Sequence, residues 1–339
     1  MPKPTLTACM PNYNHGKYIA QAIEAVVSQS RPPDEYIILD DASTDNSPAI
    51  IESYARKYSY IRYLRNERNL GALASIERAV KLATGDYLYA GAADDYVLPG
   101  FFEKAMQMAE RYPQAGSVVG NCLLIDFEGK DLNWLTSRHP WKETLYVNPE
   151  SFLNDYLFRV PPMDSFVSAV IYKMQNLHEV GGFRKELGFS CDTFSFRAIG
   201  LRSGICYVNE RCACWRKMPD SLCHSTLKDP SKEFGVLSES VRLMKSPEFK
   251  GLFPMDYVEK WSREYRNDIV NRALGQWDAQ FQALRLDVWQ RWTDRGVFDW
   301  FMKRLWWRFD CQYRRLLKFL LRRSLEKHEG KLRVGDQAR

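Results

Sequence analysis

The chain has 339 residues, of which 45% are hydrophobic, and a net charge of +6. This length is enough to bury one substantial core and to carry a smaller appendage. A membrane-spanning helix needs about 18 uninterrupted apolar residues, and even the richest apolar run, residues 316–321, is broken by Lys318. We therefore expect a chain that does not cross a bilayer by itself.

The cysteines and the charge distribution indicate the compartment and the location of the basic region. The eight cysteines show no C-x-x-C spacing, and no apolar stretch behind a charged amino terminus indicates a signal peptide. These features favour reduced thiols in a cytoplasmic protein. Residues 300–339 contain twelve Lys or Arg against four Asp or Glu, so the net positive charge is concentrated at the end of the chain.

Short apolar runs alternate with segments of helical period through the first 111 residues. The predicted strands are Leu6–Met10, Tyr36–Leu39, Ile61–Leu64 and Tyr87–Ala90, and the predicted helices are Ile19–Ser28, Pro48–Tyr58, Ala72–Ala83 and Gly100–Arg111. This alternation predicts an α/β fold in which a mostly parallel sheet is flanked by helices.

The pattern changes twice further along the chain. Residues 160–208 predict a strand over Phe166–Tyr172, a turn at Gly181-Gly182, a helix from about Asp192 and a strand over Ile205–Val208. After about residue 230 the sequence is helical and aromatic, with seven of the ten tryptophans between residues 261 and 307. We therefore predict a catalytic domain over residues 1–228 and a helical, basic, aromatic region over residues 229–339.

Three polar clusters follow predicted strands, where ligands bind to open α/β sheets. They are Pro11-Asn12-Tyr13-Asn14, Asp40-Asp41 and Asp94-Asp95. Each suits one part of a nucleotide sugar: an aromatic ring can stack on the base, and a carboxylate can accept hydrogen bonds from the base or the ribose. Adjacent carboxylates can also hold a divalent cation that bridges the diphosphate. Each cluster alone is also typical of an ordinary turn or helix cap.

The order of these clusters resembles that in the inverting family 2 glycosyltransferases, which have the GT-A fold. The matching segments over residues 4–225 are Pro11 to Asn14, Ile37 to Asp45, Asn69-Leu70-Gly71, Ala83 to Tyr87 and Asp94 to Pro99. The resemblance implies a donor site of Pro11, Tyr13, Asp41 and Asp94, in which Tyr13 stacks on the base, Asp41 contacts the base and Asp94 meets the ribose. It also implies that Asp95 holds Mn²⁺ or Mg²⁺, and it favours UDP as the nucleotide.

The resemblance also implies a catalytic base. In the family this residue is an Asp or Glu that begins a helix shortly after a Gly-Gly-Phe turn, and here Gly181-Gly182-Phe183 is followed by Asp192. An inverting transfer needs one carboxylate to take the proton of the acceptor hydroxyl. The alternative is that Asp192 only caps the helix that follows it.

Two further segments bear on the site. Many relatives have an additional Asp two residues before the Asp pair, where this chain has Ala92, so we expect a lower metal affinity or an altered metal preference. Downstream, Arg216 and Lys217 resemble a basic loop that closes over the diphosphate in related proteins, and His224 is a third candidate for positive charge or metal binding. A solvated surface loop is the alternative for all three.

The end of the chain predicts an amphipathic helix over Phe298–Arg323, with apolar and aromatic residues on one side and basic residues on the other. Such a helix is typical of a membrane surface and would suit a lipid-linked glycan acceptor at the inner face of the cytoplasmic membrane. Packing on the catalytic domain or on a second subunit is the alternative. Nucleic-acid binding is disfavoured because the aromatic residues form one apolar stripe.

We therefore predict a metal-dependent transfer of a sugar from a nucleotide donor to a glycan or lipid-linked glycan, in bacterial surface-polysaccharide assembly. The second hypothesis is a binding module of the same fold that holds a nucleotide sugar or glycan without turnover. A dehydrogenase or nucleotidyltransferase is set aside, because the loop after the first strand has one glycine where those proteins need a glycine-rich phosphate loop.

Overall fold

A computed structural model describes residues 3–166, 168–219 and 221–290, with the backbone alone for His224 and for residues 274–290. The strands are β1 (Leu6–Asn12), β2 (Glu35–Asp40), β3 (Ile61–Arg65), β4 (Tyr87–Ala90), β5 (Tyr96–Val97), β6 (Ser117–Ile125), β7 (Asp131–Leu135), β8 (Leu145–Val147), β9 (Val170–Lys173) and β10 (Ile205–Arg216).

Helices connect most of these strands. They are α1 (Ile19–Val27), α2 (Ser47–Lys57), α3 (Ala72–Leu82), α4 (Phe101–Arg111), the short α5 (Pro149–Ser151), α6 (Met174–Glu179), α7 (Cys191–Ser203), α8 (Leu222–Leu227), α9 (Pro230–Met244) and α10 (Met255–Gln290). A π-helical turn over Phe152–Leu157 continues α5, and a 3₁₀ segment over Lys185–Ser190 leads into α7.

The strands form one sheet in the order β3-β2-β1-β4-β9-β6-β10-β5, with β7 beside β6 and β8 beside β10. The pairs β1–β2, β1–β4, β2–β3 and β6–β10 are parallel, whereas β9 runs antiparallel to β4 and β6. The predicted α/β fold is confirmed. Because β1, β2 and β4 run in the same direction, the loops that follow them lie at one edge of the sheet.

The core explains why β1 is apolar without alternation. Residues 6–10 are all buried, because α-helices cover the sheet and leave neither side of β1 in water. The side chains of Ile19, Ile23 and Val26 on α1 belong to the same core cluster. Their spacing of four and three residues puts them on one helix face.

Most predicted elements of the first 111 residues agree with the structure to within about two residues at each end. The long central strand β6 (Ser117–Ile125) was not predicted. The strand expected over Phe166–Tyr172 begins only at Val170, because Ser168 adopts a left-handed conformation with φ 47°. The strand expected over Ile205–Val208 continues to Arg216.

The described part of the chain divides into two compact units. One comprises the chain up to Ser225 together with Glu239–Trp261, and the other comprises Thr226–Ser238 together with the chain from Ser262 onward. The domain boundary at residue 228 stays a prediction. No helix among the described residues is long and apolar enough to span a bilayer, and the amphipathic segment Phe298–Arg323 lies outside those residues.

Candidate active site

The loops that follow β1 and β2 are fixed to each other by side-chain hydrogen bonds. Asn12 and Asp40 are partners in the parallel ladder, and Asn12 Nδ2 donates to Asp40 Oδ1 (2.8 Å) and Ser43 Oγ (3.1 Å). Asn14 Oδ1 accepts a hydrogen bond from Thr44 N (2.8 Å). These bonds hold the two polar clusters together as one structural unit.

Tyr13 lies on this anchored loop and its side chain is free to meet a ligand. Its neighbours Asn12 and Asn14 are tied to the β2 loop, whereas 44% of Tyr13 is exposed. Pro11 is partly buried within β1, where it pairs with Leu39. A fixed backbone with an exposed aromatic ring is suited to stacking on a flat base.

Asp41 accepts hydrogen bonds from the loop between β3 and α3. Its buried carboxylate accepts hydrogen bonds from Asn66 Nδ2 (2.7 Å) and Leu70 N (2.8 Å) at Oδ1, and from Gly71 N (2.8 Å) at Oδ2. The donated Gly71 N–H belongs to a residue with φ 88°, a conformation that favours glycine. A carboxylate can accept about four hydrogen bonds, so one position remains for a ligand.

Arg78 is a site residue that the sequence analysis missed. It is an exposed residue of α3 whose guanidinium donates to Asn66 Oδ1, and Asn66 Nδ2 donates to both Asp41 and Ser75. A cation therefore lies beside the Asp41 cluster. The sequence feature that could have identified Arg78 is its spacing of three residues from Ser75, which puts both residues on one face of α3.

The Asp94-Asp95 turn contains one partly buried and one buried carboxylate. Asp95 Oδ1 accepts a hydrogen bond from Arg216 N (2.8 Å), and Asp95 Oδ2 accepts one from the Ser168 hydroxyl. Burial raises the pKa of Asp95 well above its usual range, and repulsion from Asp94 raises it further, whereas these two hydrogen bonds and the Arg216 charge oppose the rise. An ionised Asp94-Asp95 pair would therefore gain from a cation.

This pair fits a divalent cation that takes most of its ligands from a phosphate group and water. The described residues include no cluster of three or more His, Cys, Asp or Glu side chains that could enclose a metal ion. Mg²⁺ is commonly held by one or two carboxylates plus substrate phosphates, and the same oxygen ligands suit Mn²⁺. Asp94 and Asp95 are the residues that would hold such an ion.

Arg216 is buried, contrary to the expectation of a basic loop that closes over the site. It ends β10 and only 3% of it is exposed. Its side chain donates to backbone carbonyls and to Gln21, so these donors are not directed toward solvent. Lys217 is exposed, and the His224 side chain lies outside the described part of the structure.

Asp192 lies in the first turn of α7, partly buried. Its Oδ1 accepts a hydrogen bond from Thr193 N (2.6 Å), and no hydrogen bond to its Oδ2 is found among the described residues. Burial raises the pKa of Asp192, and the bonds from Thr193 and the charge of Arg197 counteract this only in part. Asp192 therefore satisfies one free N–H of the helix and still has an oxygen available to act as a base.

The Gly181-Gly182 turn fixes the start of α7. Both glycines have positive φ values, 80° and 72°, and their N–H groups donate to His178 O and Leu177 O at the end of α6. The carbonyl of Gly182 accepts a hydrogen bond from Ser195 Oγ (2.7 Å) on α7. The turn thus ends one helix and anchors the helix that carries Asp192.

One short segment contacts both the Asp95 carboxylate and the Asp192 helix. Ser165 Oγ lies 3.3 Å from Thr193 Oγ1, next to Asp192, and Ser168 donates to Asp95. Asp95 and the neighbour of Asp192 are far apart in sequence, and they contact two serines that are three positions apart in the chain. A carboxylate pair can hold a cation, and a carboxylate of raised pKa can act as a base.

Comparisons with known proteins identify the family and the fold. The family model described as Glycosyl transferase family 2 matches residues 7–174. Over 104 residues the chain is 38% identical to the glycosyltransferase YibD of Escherichia coli, an alignment that covers 31% of this chain and 30% of YibD. Residues 7–174 thus form a family 2 glycosyltransferase domain.

Two solved structures share the fold. One is TarS of Staphylococcus aureus in complex with UDP-GlcNAc, with a TM-score of 0.59 at 17% identity. This match covers 80% of the present chain and 73% of the TarS chain. The other is the mannosyltransferase PcManGT of Pyrobaculum calidifontis in complex with GDP-Man and Mn²⁺, with a TM-score of 0.54 at 18% identity. This match covers 86% of the present chain and 81% of the PcManGT chain. At these identities the comparison identifies the GT-A fold.

Proposed function

We propose that this protein transfers a glycosyl group from a nucleoside diphosphate sugar to a hydroxyl group of a glycan or lipid-linked glycan, with inversion at the anomeric carbon. The observation that carries the proposal is the segment of Ser165 and Ser168, which contacts the Thr193 neighbour of Asp192 at one end and Asp95 at the other. These contacts link a candidate cation site to the neighbour of a candidate base.

The donor would bind across the loops that follow β1, β2 and β4. Tyr13 offers the exposed ring for the base, and Asp41 has one lone-pair position left for a base N–H. Asp94 would accept from the ribose hydroxyls. Arg78 would attract the diphosphate. UDP is the nucleotide we favour; the two fold neighbours were solved with UDP-GlcNAc and with GDP-Man, so GDP enters the test beside it.

Asp95, with Asp94, would hold Mn²⁺ or Mg²⁺. A bound divalent cation neutralises the charge that develops on the leaving diphosphate. Ala92 supplies no third carboxylate, so we expect the affinity for the free ion to be low and to rise when the nucleotide adds its phosphate oxygens.

Asp192 would be the base. Its free oxygen would take the proton of the acceptor hydroxyl while that oxygen bonds to the anomeric carbon, and the bond from that carbon to the diphosphate breaks with its electron pair leaving on the nucleotide. The raised pKa of Asp192 makes it a stronger base than an exposed Asp.

The acceptor and its location are inferred from the end of the sequence. A basic, aromatic amphipathic pattern over residues 298–323 favours attachment at the inner face of the cytoplasmic membrane, where a lipid-linked acceptor of bacterial surface-polysaccharide assembly would lie. Flotation with anionic liposomes tests this. The full chain should float, and a chain ended near residue 295 should not; equal flotation of the two would contradict the membrane proposal.

Donor turnover tests the catalytic proposal. We expect the wild type to release nucleoside diphosphate from a UDP-sugar or a GDP-sugar in the presence of Mn²⁺ and a membrane extract as the acceptor source. Asp192→Asn should lower this rate by at least 100-fold and keep nucleotide affinity within about threefold.

Glu186→Gln is the matched control, because it makes the same chemical change at an exposed position six residues earlier. Unchanged turnover in Asp192→Asn would overturn the assignment, and nucleotide binding without turnover in the wild type would favour a binding module.

A further inference from the structure

We infer that Arg216 is the positioning residue of the donor site: a buried guanidinium that holds the Asp94-Asp95 turn in the geometry needed for cation binding. The inference rests on the proposed function. Arg216 is only 3% exposed, so it would act through the Asp94-Asp95 turn that it holds.

The hydrogen bonds of Arg216 join three segments around the site. Its Nε donates to the Asp94 carbonyl (2.8 Å), Nη1 to the carbonyls of Asp126 and Phe127 (both 3.3 Å), and Nη2 to Gln21 Oε1 on α1 (3.0 Å). Four of the five N–H donors of the guanidinium are therefore used within the protein. A residue with these contacts fixes the turn between β6 and β7, the start of α1 and the Asp94 backbone relative to one another.

The backbone of Arg216 adds a direct link to the second carboxylate. Arg216 N donates to Asp95 Oδ1 (2.8 Å). The side chain and the backbone of one residue thus hold consecutive members of the Asp94-Asp95 turn, one through its carbonyl and the other through its carboxylate. If the guanidinium is lost, the end of β10 is free to shift, and with it the N–H that orients Asp95.

The aromatic ring of Tyr18 completes the enclosure. The guanidinium carbon lies 4.6 Å from the centre of that ring, and Tyr18 Oη donates to Phe127 O (3.2 Å), which also accepts from Arg216. An arginine above an aromatic ring combines a cation–π contact with planar stacking. Lysine has a compact ammonium group and cannot reproduce this fork of hydrogen bonds.

The charge state supports a role beyond packing. Among the described residues no carboxylate forms an ion pair with the Arg216 side chain, although only 3% of the residue is exposed. Burying a charge whose hydrogen bonds go to carbonyl and amide oxygens is costly, and an apolar side chain would avoid that cost. A fixed positive charge near the Asp95 carboxylate is useful where that carboxylate must share a site with an anionic diphosphate.

The test is a Mn²⁺ titration of the full-length protein in the presence of UDP or GDP, whichever the wild type binds more tightly. We expect Arg216→Met and Arg216→Lys each to raise the apparent Kd for Mn²⁺ by 10- to 100-fold, the range for residues that orient metal ligands. Nucleotide binding without metal should change less than threefold. A merely structural role would lower the Tm without this selective effect.

Arg197→Lys is the matched control. Arg197 is also 3% exposed and also donates to backbone carbonyls, those of Pro162 and Asp164, but it contacts neither Asp94 nor Asp95 among the described residues. It should leave the Kd for Mn²⁺ unchanged. If the Arg216 variants do not fold, Gln21→Met tests the role of Arg216 instead. It removes one hydrogen-bond acceptor of the guanidinium and should raise the Kd for Mn²⁺ two- to fivefold.

Each outcome is decisive. A wild-type Kd for Mn²⁺ in Arg216→Lys, or in Gln21→Met when the former does not fold, would overturn the role of Arg216 and leave the proposed function standing. A wild type that binds no nucleotide with Mn²⁺ would overturn the proposed function, and this inference with it.

Discussion

The Ser168 hydroxyl donates a hydrogen bond to Asp95 Oδ2, across 73 positions of sequence. Ser168 holds this position in a left-handed backbone conformation, with φ 47°. Such a conformation costs a residue with a Cβ roughly 1–2 kcal/mol. Backbone strain beside a candidate cation site is a common feature of functional sites, where the surrounding structure holds a side chain in place.

Ser168→Ala and Ser168→Gly separate the hydroxyl from the strain. Both variants lose the hydrogen bond to Asp95, but only glycine relieves the left-handed conformation, so Ser168→Gly should be more stable than Ser168→Ala by about 1 kcal/mol. Both should weaken Mn²⁺-dependent nucleotide binding to the same extent, about 3- to 10-fold. Urea unfolding and calorimetry measure the two effects. A wild-type Mn²⁺ dependence in both variants would show that the hydroxyl does not orient Asp95.

Asp192→Asn should stabilise the fold while it removes activity. Because the pKa of Asp192 is raised in the folded state, the folded protein binds more protons than the unfolded chain between the two pKa values, and stability falls as pH rises through this window. At neutral pH the asparagine carries no buried charge, so the Tm should be higher than that of the wild type. At a pH below the ordinary Asp pKa of about 3.9 this advantage should disappear. A lower Tm at pH 7 would contradict the burial argument.

The raised pKa of Asp192 also predicts the acid side of the pH–rate profile. The base acts only when it is ionised, so kcat/KM should fall as pH decreases through a pKa above the ordinary value of about 3.9. The measurement is kcat/KM over the pH range in which circular dichroism shows the protein to be folded. Full activity down to about pH 4 would be inconsistent with a raised Asp192 as the base.

Asp41→Asn tests the loop that Asp41 organises. An amide can accept at one atom only, so at least one of the donors Leu70 N, Gly71 N and Asn66 Nδ2 would face another donor, at a cost of about 1–3 kcal/mol. Nucleotide affinity should fall at least tenfold. Asp86→Asn is the control, because Asp86 also accepts a backbone N–H, that of Thr5, in a different part of the sheet. If both variants lost nucleotide affinity equally, the effect of Asp41→Asn would reflect general destabilisation.

Most strands around the site could be predicted from the sequence, and the strand that was not predicted has a physical explanation. The strands before Asn12, Asp41 and Asp94 are short apolar runs followed by polar turns, so period and punctuation locate them. Strand β6 was missed because Gly120-Asn121 interrupts its apolar run as a turn would, although the sheet buries both residues. These residues also lie far from the motifs that marked the other strand ends.

Arg216 and Ser168 could not be interpreted from sequence for a different reason. Arg216 follows Trp215 and precedes Lys217, a composition typical of a surface loop, and only the continuation of β10 to residue 216 buries it. The bond from Ser168 to Asp95 connects segments 73 residues apart, and local patterns do not report such pairings. Asp192 was located through the Gly-Gly-Phe turn, whose left-handed glycines the structure confirms.

The most direct test of the account is calorimetric titration of UDP and GDP into the wild type and Asp95→Asn, each with and without Mn²⁺. We predict that the wild type binds one of these nucleotides at least tenfold more tightly with Mn²⁺, and that Asp95→Asn binds it equally with and without the metal. If neither nucleotide bound the folded wild type, or if Asp95→Asn kept the full effect of Mn²⁺, the proposed donor site would be wrong.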